Sequence, residues 1–167
     1  DLMQNICKTP NEISSLPTER LWLEIQKAAL HPCFHLFWAT LQACGALSAL
    51  NIQLSPYFID DLKASKLSYS DRLLSALWHQ EDLASFSRIN PPALISDAIK
   101  LIQSNKLAIF QGKTASPQDI LITCQRLDPF RRYDRALKLI QSLPTEYQAS
   151  KIFWLNVCSA LNKMDIQ

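Results

Sequence analysis

Apolar residues recur along the chain with the period of an α-helix. Leu21, Ile25, Ala28 and Ala29 occupy positions i, i+4, i+7 and i+8, which places them on one face of a helix over residues 18–30. No stretch of the sequence shows the alternation of β-branched and polar residues that is typical of strands. The pattern therefore predicts an all-α protein, built of antiparallel helical hairpins and without a sheet.

Prolines and a glycine separate the remaining predicted helices. Phe34, Phe37, Trp38 and Leu41 form the apolar stripe of the second helix, which we expect to end at Gly45 in a left-handed cap. A short proline turn joins the first two helices, which predicts a hairpin. Further helices are predicted over residues 56–66, after Ser70, after Pro91-Pro92, over 117–127, over 130–143 and after Pro144.

The longest stretch without a helical pattern runs from Asn105 to Ser116, and we interpret it as a linker. The helix after it begins at Ser116-Pro117 and is expected to turn Ile120, Leu121 and Cys124 inward. We therefore divide the chain into neck-like helices at 1–54, a helical body at 55–105 and a helical tail at 106–167.

Composition narrows the classes of function. The charged residues, 17 basic and 15 acidic, give a net charge of +2, so any affinity for RNA would have to come from local clusters. Five scattered cysteines without a CxxC motif indicate reduced thiols. No apolar run reaches the roughly 18 residues of a membrane span, and no signal-peptide pattern opens the chain. We expect a cytoplasmic protein without a membrane partner.

One motif carries a resemblance to a known family. Residues 16–28 read LPTERLWLEIQKA, with a Glu-Arg pair opening an apolar helix, and residues 41–47 read LQACGAL, a helix end followed by Gly-apolar-Leu. The order and spacing of these features resemble the neck of class II tRNA nucleotidyltransferases and of the related bacterial poly(A) polymerases. The resemblance covers roughly residues 1–54.

The resemblance implies that the chain is the tRNA-binding neck, body and tail of a CCA-adding nucleotidyltransferase. The catalytic head, with its Mg²⁺ and CTP or ATP, is implied to lie upstream, so we expect this chain to hold no cofactor and to be inactive alone. The motif fits the same region of a poly(A) polymerase equally well. A third hypothesis is a non-enzymatic helical module that binds proteins through tryptophan anchors, although core packing explains these residues equally well: Trp22, Trp38, Trp78 and Trp154.

Glu19, Arg20, Glu24 and Gly45 are the structural residues of the motif. A carboxylate at Glu19 suits the first turn of a helix. Arg20 and Glu24 lie one turn apart and can form an ion pair, which contributes about 0.3 kcal/mol when exposed. The resemblance favours a different role, in which Glu19 or Arg20 reaches the neighbouring hairpin and fixes the angle between the neck helices.

No set of residues in the sequence predicts a metal centre. Neighbouring residues on a helix diverge by about 100°, so carboxylates cannot share a metal in the adjacent acidic pairs Asp60-Asp61 and Glu81-Asp82. Some members of the family carry a His-Asp phosphohydrolase domain after the neck. The corresponding pair here is His79-Gln80, which implies that this domain is missing or degenerate. Gly112-Lys113-Thr114 lacks the earlier glycine that a phosphate loop requires.

Basic residues are densest near residue 130. In a helix opened by Pro129, Arg131, Arg135 and Lys138 would form one stripe beside Arg132 and Tyr133, able to follow a phosphate backbone. A sparser group comprises Lys100, Lys106 and Lys113. The alternative is a solvated helix face balanced by Asp128 and Asp134. The resemblance favours tRNA as the partner of these residues.

Overall fold

Helices and short 3-10 turns make up the regular structure of the part of the chain that the computed structural model describes, residues 9–64 and 69–164. No strand occurs in these ranges, which confirms the all-α prediction, and none of their helices is long and apolar enough to cross a membrane. The α-helices are α1 (Thr18–Ala29), α2 (Phe34–Ala43), α3 (Ala46–Ala49), α4 (Phe58–Ala64), α5 (Tyr69–Leu77), α6 (Ala84–Ser87), α7 (Ala93–Gln111), α8 (Pro117–Leu127), α9 (Tyr133–Gln141) and α10 (Gln148–Met164). The 3-10 helices are Pro10–Ser15, Gly112–Thr114 and Thr145–Tyr147. Residues 1–8 of the neck-like segment, and the end of the helix predicted over 56–66, lie outside the described residues.

The chain divides into two compact units, Asp1–Ile99 and Lys100–Gln167, and the boundary falls within α7. The predicted linker at Asn105–Ser116 is wrong, because α7 continues to Gln111 and the 3-10 turn follows at once. Asn105 looks like a helix breaker in the sequence, but its side-chain amide donates a hydrogen bond of 2.8 Å to the carbonyl of Leu101 within the same helix. The three-part division at residues 54 and 105 stays a prediction.

The core of the first unit surrounds Trp38, which has no exposed surface. The ring centroid of Trp38 lies 5.3 Å from that of Phe58, 5.7 Å from Phe37 and 6.0 Å from both Phe34 and Phe86. Most of these ring pairs are edge-to-face, a geometry that contributes about 0.5–1.5 kcal/mol beyond the area buried. The aromatic cluster therefore joins α2, α4 and α6 in one core.

The hairpin of α1 and α2 buries the predicted faces. Leu21, Ile25 and Ala29 are buried on α1, and Gly45 follows α2 with a φ of 77°. The backbone N–H of Gly45 donates to the carbonyl of Gln42 at 3.1 Å. The predicted left-handed cap is therefore confirmed, and the conformation favours glycine because it has no Cβ to clash with the backbone.

The core of the second unit fastens the end of α7 to α10 through polar as well as apolar contacts. The hydroxyl of Ser150 donates to the carbonyl of Phe110 at 2.6 Å, and the indole N–H of Trp154 donates to the carbonyl of Ile109 at 3.0 Å. The rings of Phe110 and Tyr147 stack at 3.8 Å with an interplanar angle of 6°. These three contacts hold the last turn of α7 against the beginning of α10.

Gly112 allows this close approach. Its φ is 55°, and a Cβ at this position would lie 2.8–2.9 Å from the Cα, Cβ and Oγ of Ser150. A side chain would therefore be strained by its own backbone and would also push α10 away. The glycine that superficially suggested a phosphate loop is required here for packing.

The four tryptophans are core residues. Their exposed fractions are 4% for Trp22, 0% for Trp38, 1% for Trp78 and 0% for Trp154. Residues at this level of burial cannot meet a partner without unfolding of the core. The interpretation of the tryptophans as anchors for a protein partner is therefore wrong.

Candidate nucleic-acid interface

The two units differ in the sign of their charge. Lys100–Gln167 contains ten basic and five acidic residues, which gives a net charge of +5. Asp1–Ile99 contains seven basic and ten acidic residues, which gives −3. Phosphate groups are attracted to clustered positive charge, so the second unit is the candidate region for contact with a nucleic acid.

The basic residues near 130 do not form the single helical stripe that the sequence suggested. Asp128 ends α8 in a left-handed conformation with φ of 50°, and α9 begins only at Tyr133. Arg131 therefore lies in the turn between the helices, and Arg132 precedes the first residue of α9. The prediction of a helix from residue 130 failed because Asp128 leaves the helical conformation and residues 129–131 form a turn.

The guanidinium of Arg135 forms hydrogen bonds within the second unit. Its Nη2 donates to the carbonyls of Arg126 at 3.3 Å and of Leu127 at 3.0 Å, in the last turn of α8. These carbonyls have no partner within their own helix, and a guanidinium satisfies them and interacts favourably with the negative end of the helix dipole. Lys138, one turn further along α9, is half-buried.

The guanidinium of Arg126 also forms hydrogen bonds within the second unit, one of them to the buried Asn105. Its Nη1 donates to the carbonyl of Ser104 at 2.9 Å and to Oδ1 of Asn105 at 3.3 Å. The hydroxyl of Thr123 donates to the same Oδ1 at 3.5 Å, and Asn105 is 3% exposed. This network turns Thr123 towards α7. The prediction that Leu121 faces inward is therefore wrong, and its side chain is 59% exposed.

Arg131 and Arg132 are the members of the cluster that remain available. Both side chains are exposed, and the ion pairs found among the described residues join other side chains. Neither guanidinium therefore has to break an internal contact before it binds phosphate. Arg131 lines the same cavity as the exposed Phe130, so cationic and aromatic surface occur together there.

The second basic group is dispersed. Lys100 and Lys106 differ by about 120° around α7, since successive residues turn by 100°. Lys100 and Lys113 are exposed. The ammonium group of Lys106 lies 5.6 Å from the centroid of the Phe110 ring, in a cation–π contact. The structure does not place these three lysines on one stripe.

A groove opens next to Arg131. Its volume is about 890 Å³, and it lies between α8 and α10, lined by Pro117, Ile120, Leu121, Cys124, Gln125, Asp128, Phe130, Arg131, Val157 and Leu161. Leu121 and Phe130 are 59% and 41% exposed. The sequence did not reveal this groove, because Leu121 reads as a core residue until the buried face of α8 is known.

The Glu-Arg motif lies on the surface of α1. The carboxylate of Glu24 pairs with the ammonium of Lys27 at 2.8 Å. The sequence had suggested Arg20 as the partner of Glu24 instead. Glu19 and Arg20 are exposed, and within residues 9–64 and 69–164 neither side chain reaches another helix. The tie between the neck helices that was expected from these two residues stays a prediction, and the hairpin packs through the apolar face of α1.

His79 and its neighbours form a small polar pocket of about 210 Å³. The Nε2 of His79 lies 2.9 Å from a carboxylate oxygen of Asp61. Gln80, which occupies the position of the family's carboxylate, is 1% exposed and accepts a hydrogen bond from the backbone N–H of Ser55 at 2.9 Å. Gln80 thus ties the loop before α4 to the end of α5. Within the described ranges, no group of three His, Cys, Asp or Glu side chains is placed to hold a metal ion.

The adjacent acidic residues have separate partners. Asp60 pairs with Lys63 at 3.4 Å, whereas Asp61 faces His79, so the two carboxylates diverge as predicted. Glu81 and Asp82 lie in a turn and not on a helix, which corrects that part of the prediction. The carboxylate of Asp82 accepts a hydrogen bond from the backbone N–H of Ala84 at 3.0 Å, at the beginning of α6.

Two thiols of the second unit are protected from ionisation. Burial, with a smaller contribution from Cys124, raises the pKa of Cys158 to about 11. Burial also raises the pKa of Cys124, although a backbone hydrogen bond opposes the rise. Because the thiolate is the reactive form, both are poor nucleophiles at neutral pH. Cys7 lies outside the described residues.

A stretch of the chain is similar to a known protein. Over 55 residues, 33% of this chain, it is 42% identical to the "Multifunctional CCA protein" of Pasteurella multocida (strain Pm70). The matched segment covers 13% of that protein. No protein-family model matches the chain, and no solved structure matches it. A third of the chain is thus related in sequence to a small part of a CCA protein.

Proposed function

We propose that this chain is a tRNA-binding region of a CCA-adding tRNA nucleotidyltransferase, in which the second unit contacts RNA. The observation that carries the proposal is the 42% identity over 55 residues to a protein named for CCA. The Glu-Arg and Gly-apolar-Leu motifs resemble the neck of the same enzymes. The name of the relative favours CCA addition over the poly(A) polymerase alternative.

The RNA-binding part of the proposal rests on charge. Lys100–Gln167 carries a net charge of +5, and Arg131 and Arg132 are exposed within it. Guanidinium groups bind phosphate through paired N–H donors, so two neighbouring arginines suit a nucleic-acid backbone. Arg135 and Lys138 are less suitable, because the guanidinium of Arg135 is engaged with α8 and Lys138 is half-buried.

Binding of tRNA tests this proposal directly. We expect the 167-residue chain to bind tRNA with an affinity that falls as salt rises, since each phosphate contact contributes about 0.9 to the slope of log K against log salt. The double variant R131A/R132A should bind more weakly and flatten the slope by roughly two units. Fluorescence anisotropy with labelled tRNA at several salt concentrations measures both quantities.

A matched variant removes the same charge from the first unit. Lys27 and Lys63 are exposed and lie on α1 and α4, each in a surface pair with a carboxylate. K27A/K63A should leave the slope within about half a unit of the wild-type value, against roughly two units for R131A/R132A. Equal losses in the two double variants would mean that binding reflects net charge alone. Absence of salt-dependent binding by the wild type would contradict the proposal.

We further propose that the isolated chain transfers no nucleotide. Its acidic pairs either diverge or lie in a turn, and a phosphoryl-transfer centre needs carboxylates that converge on metal ions. Incubation with tRNA, Mg²⁺ and labelled CTP or ATP should leave the RNA unlabelled. Incorporation above that of a sample without protein would overturn this part of the proposal.

A further inference from the structure

We propose that the groove between α8 and α10 receives one unstacked nucleobase of the bound RNA. This inference rests on the proposed RNA-binding function and assigns it a specific pocket. The groove has a volume of about 890 Å³, within the range of roughly 300–1,000 Å³ typical of small-molecule sites. It is open at the surface beside Arg131 and Phe130, where a strand of RNA can approach.

The walls of the groove suit the faces of a base. Ile120, Leu121, Val157 and Leu161 supply aliphatic surface, and Phe130 supplies an aromatic ring that is 41% exposed. Proteins that recognise single-stranded RNA hold splayed bases against aromatic and apolar side chains. An exposed leucine and phenylalanine that face one cavity provide such a surface without any rearrangement of the core.

Polar groups at the edge of the groove suit the edge of a base. Gln125 is exposed and Asp128 is half-buried, and both line the cavity. In the described part of the chain, the side chains of these two residues engage in no hydrogen bond or ion pair. A carboxylate accepts hydrogen bonds from exocyclic amino groups, as on cytosine. We therefore expect bases that carry an amino group to bind better than uracil.

The charge around the groove favours a nucleotide over an apolar peptide. Arg131 lies on the groove wall and Arg132 follows it, both exposed, in a unit whose net charge is +5. The backbone phosphate of the nucleotide whose base occupies the groove would lie near these guanidinium groups. The carboxylate of Asp128 repels phosphate, so the phosphate is expected on the Arg131 side and the base edge on the Asp128 side.

Filling the groove tests the inference. Leu121 is 59% exposed, so L121W can place an indole in the groove without disturbing the core. L107W is the matched control, because Leu107 is 72% exposed on α7 and does not line the groove. We expect L121W to weaken binding of a cytidine pentanucleotide about tenfold, since stacking of one base carries an effect of this size. Binding of duplex RNA should be unchanged in both variants.

A second variant tests the polar edge. Asparagine tolerates the left-handed conformation of residue 128, so D128N keeps the backbone while it removes the carboxylate. It should reduce the preference for a cytidine over a uridine pentanucleotide that the wild type is expected to show. Equal affinity of the wild type for both would overturn the assignment of the base edge to Asp128.

The outcomes separate the groove from the RNA-binding function itself. If L121W and L107W bind the pentanucleotide equally while duplex binding stays salt-dependent, the groove inference falls and the proposed function stands. If the wild type binds neither the pentanucleotide nor the duplex, the groove inference and the proposed function are both contradicted. If L121W instead abolishes self-association measured by sedimentation, the groove is a protein contact, and the nucleobase assignment is overturned.

Discussion

The two units are both helical, but different forces hold them together. The first unit, Asp1–Ile99, is organised around Trp38 and four phenylalanine rings and carries a net charge of −3. The second unit, Lys100–Gln167, has a net charge of +5 and adds to its apolar core the side-chain hydrogen bonds of Ser150, Trp154 and Arg135. A hydrogen bond to a specific carbonyl weakens steeply when its distance or angle changes. We therefore expect the second unit to be more sensitive to conservative substitutions.

The two glycines give the largest expected contrast between the units. In G112A, the left-handed backbone costs about 1–2 kcal/mol and the contact with Ser150 about 1–3 kcal/mol more, so we expect a loss of roughly 2–5 kcal/mol. In G45A, the φ of 77° is equally unfavourable, but no atom of the described residues lies within 4 Å of the added Cβ, so the loss should be about 1–2 kcal/mol. Urea denaturation of the two variants measures both losses. Equal losses would show that the approach of Ser150 relaxes without cost.

Burial of Cys158 is expected to suppress its reaction with alkylating agents in the folded chain. The pKa of Cys158 rises from 9.0 to about 11, so its thiolate fraction at pH 8 should be about a hundredfold lower in the folded chain than in the unfolded one. Cys33 in the first unit is exposed. Iodoacetamide at pH 8 should therefore label Cys33 first and Cys158 only after denaturation, as peptide mass spectrometry can show. Early labelling of Cys158 would contradict its burial.

The same thiol predicts a dependence of stability on pH. The folded pKa of Cys158 lies above its unfolded value, so the stability that the neutral thiol contributes is fully present below pH 9 and is lost as pH rises towards 11. Thermal unfolding of C158A should show a smaller decrease over this interval than the wild type. Parallel curves for the two chains would show that burial does not raise this pKa.

The cap formed by Arg135 has a smaller expected effect. R135A removes two hydrogen bonds to the carbonyls of Arg126 and Leu127, and we expect a loss of about 1–2 kcal/mol. R132A, which removes an exposed neighbouring arginine, should change stability by less than about 0.5 kcal/mol. Chemical denaturation of the two single variants makes the comparison. If R132A were the more destabilising, Arg135 would not be a structural residue.

Local signals in the sequence predicted the first hairpin of the first unit and the beginning of α8 in the second. Gly45 ends α2, and Ser116 caps α8 by accepting a hydrogen bond from the backbone N–H of Asp119 at 3.1 Å, both where the pattern placed them. Such caps depend on residues within one turn of each other. The helical period of the apolar positions was sufficient to identify the buried faces of α1 and α2.

Contacts between distant residues account for the errors in the second unit. Asn105 reads as a loop residue, yet Thr123 and Arg126 bond to it across 18 and 21 residues and turn α8 about its axis. The start of α9 depends on the left-handed conformation of Asp128, which Asp adopts only where the surroundings favour it. The groove follows from the orientation of α8, so the sequence alone could not predict it. Arg131 and Arg132 stay candidates because, over residues 9–64 and 69–164, their side chains form no hydrogen bond or ion pair.

The smallest expected effect concerns the motif that carries the resemblance. Arg20 is exposed on α1 without an ion pair among the described residues, so R20A should change the free energy of unfolding by less than about 0.3 kcal/mol. K27A breaks the 2.8 Å pair with Glu24, but that pair is exposed and should contribute only about 0.3–0.5 kcal/mol. High salt should remove even this difference, since it screens surface charges. Urea denaturation at low and high salt measures both effects. A loss above about 1 kcal/mol in R20A would mean that the arginine ties the neck helices after all, and the contrast between an apolar first unit and a hydrogen-bonded second unit would no longer hold.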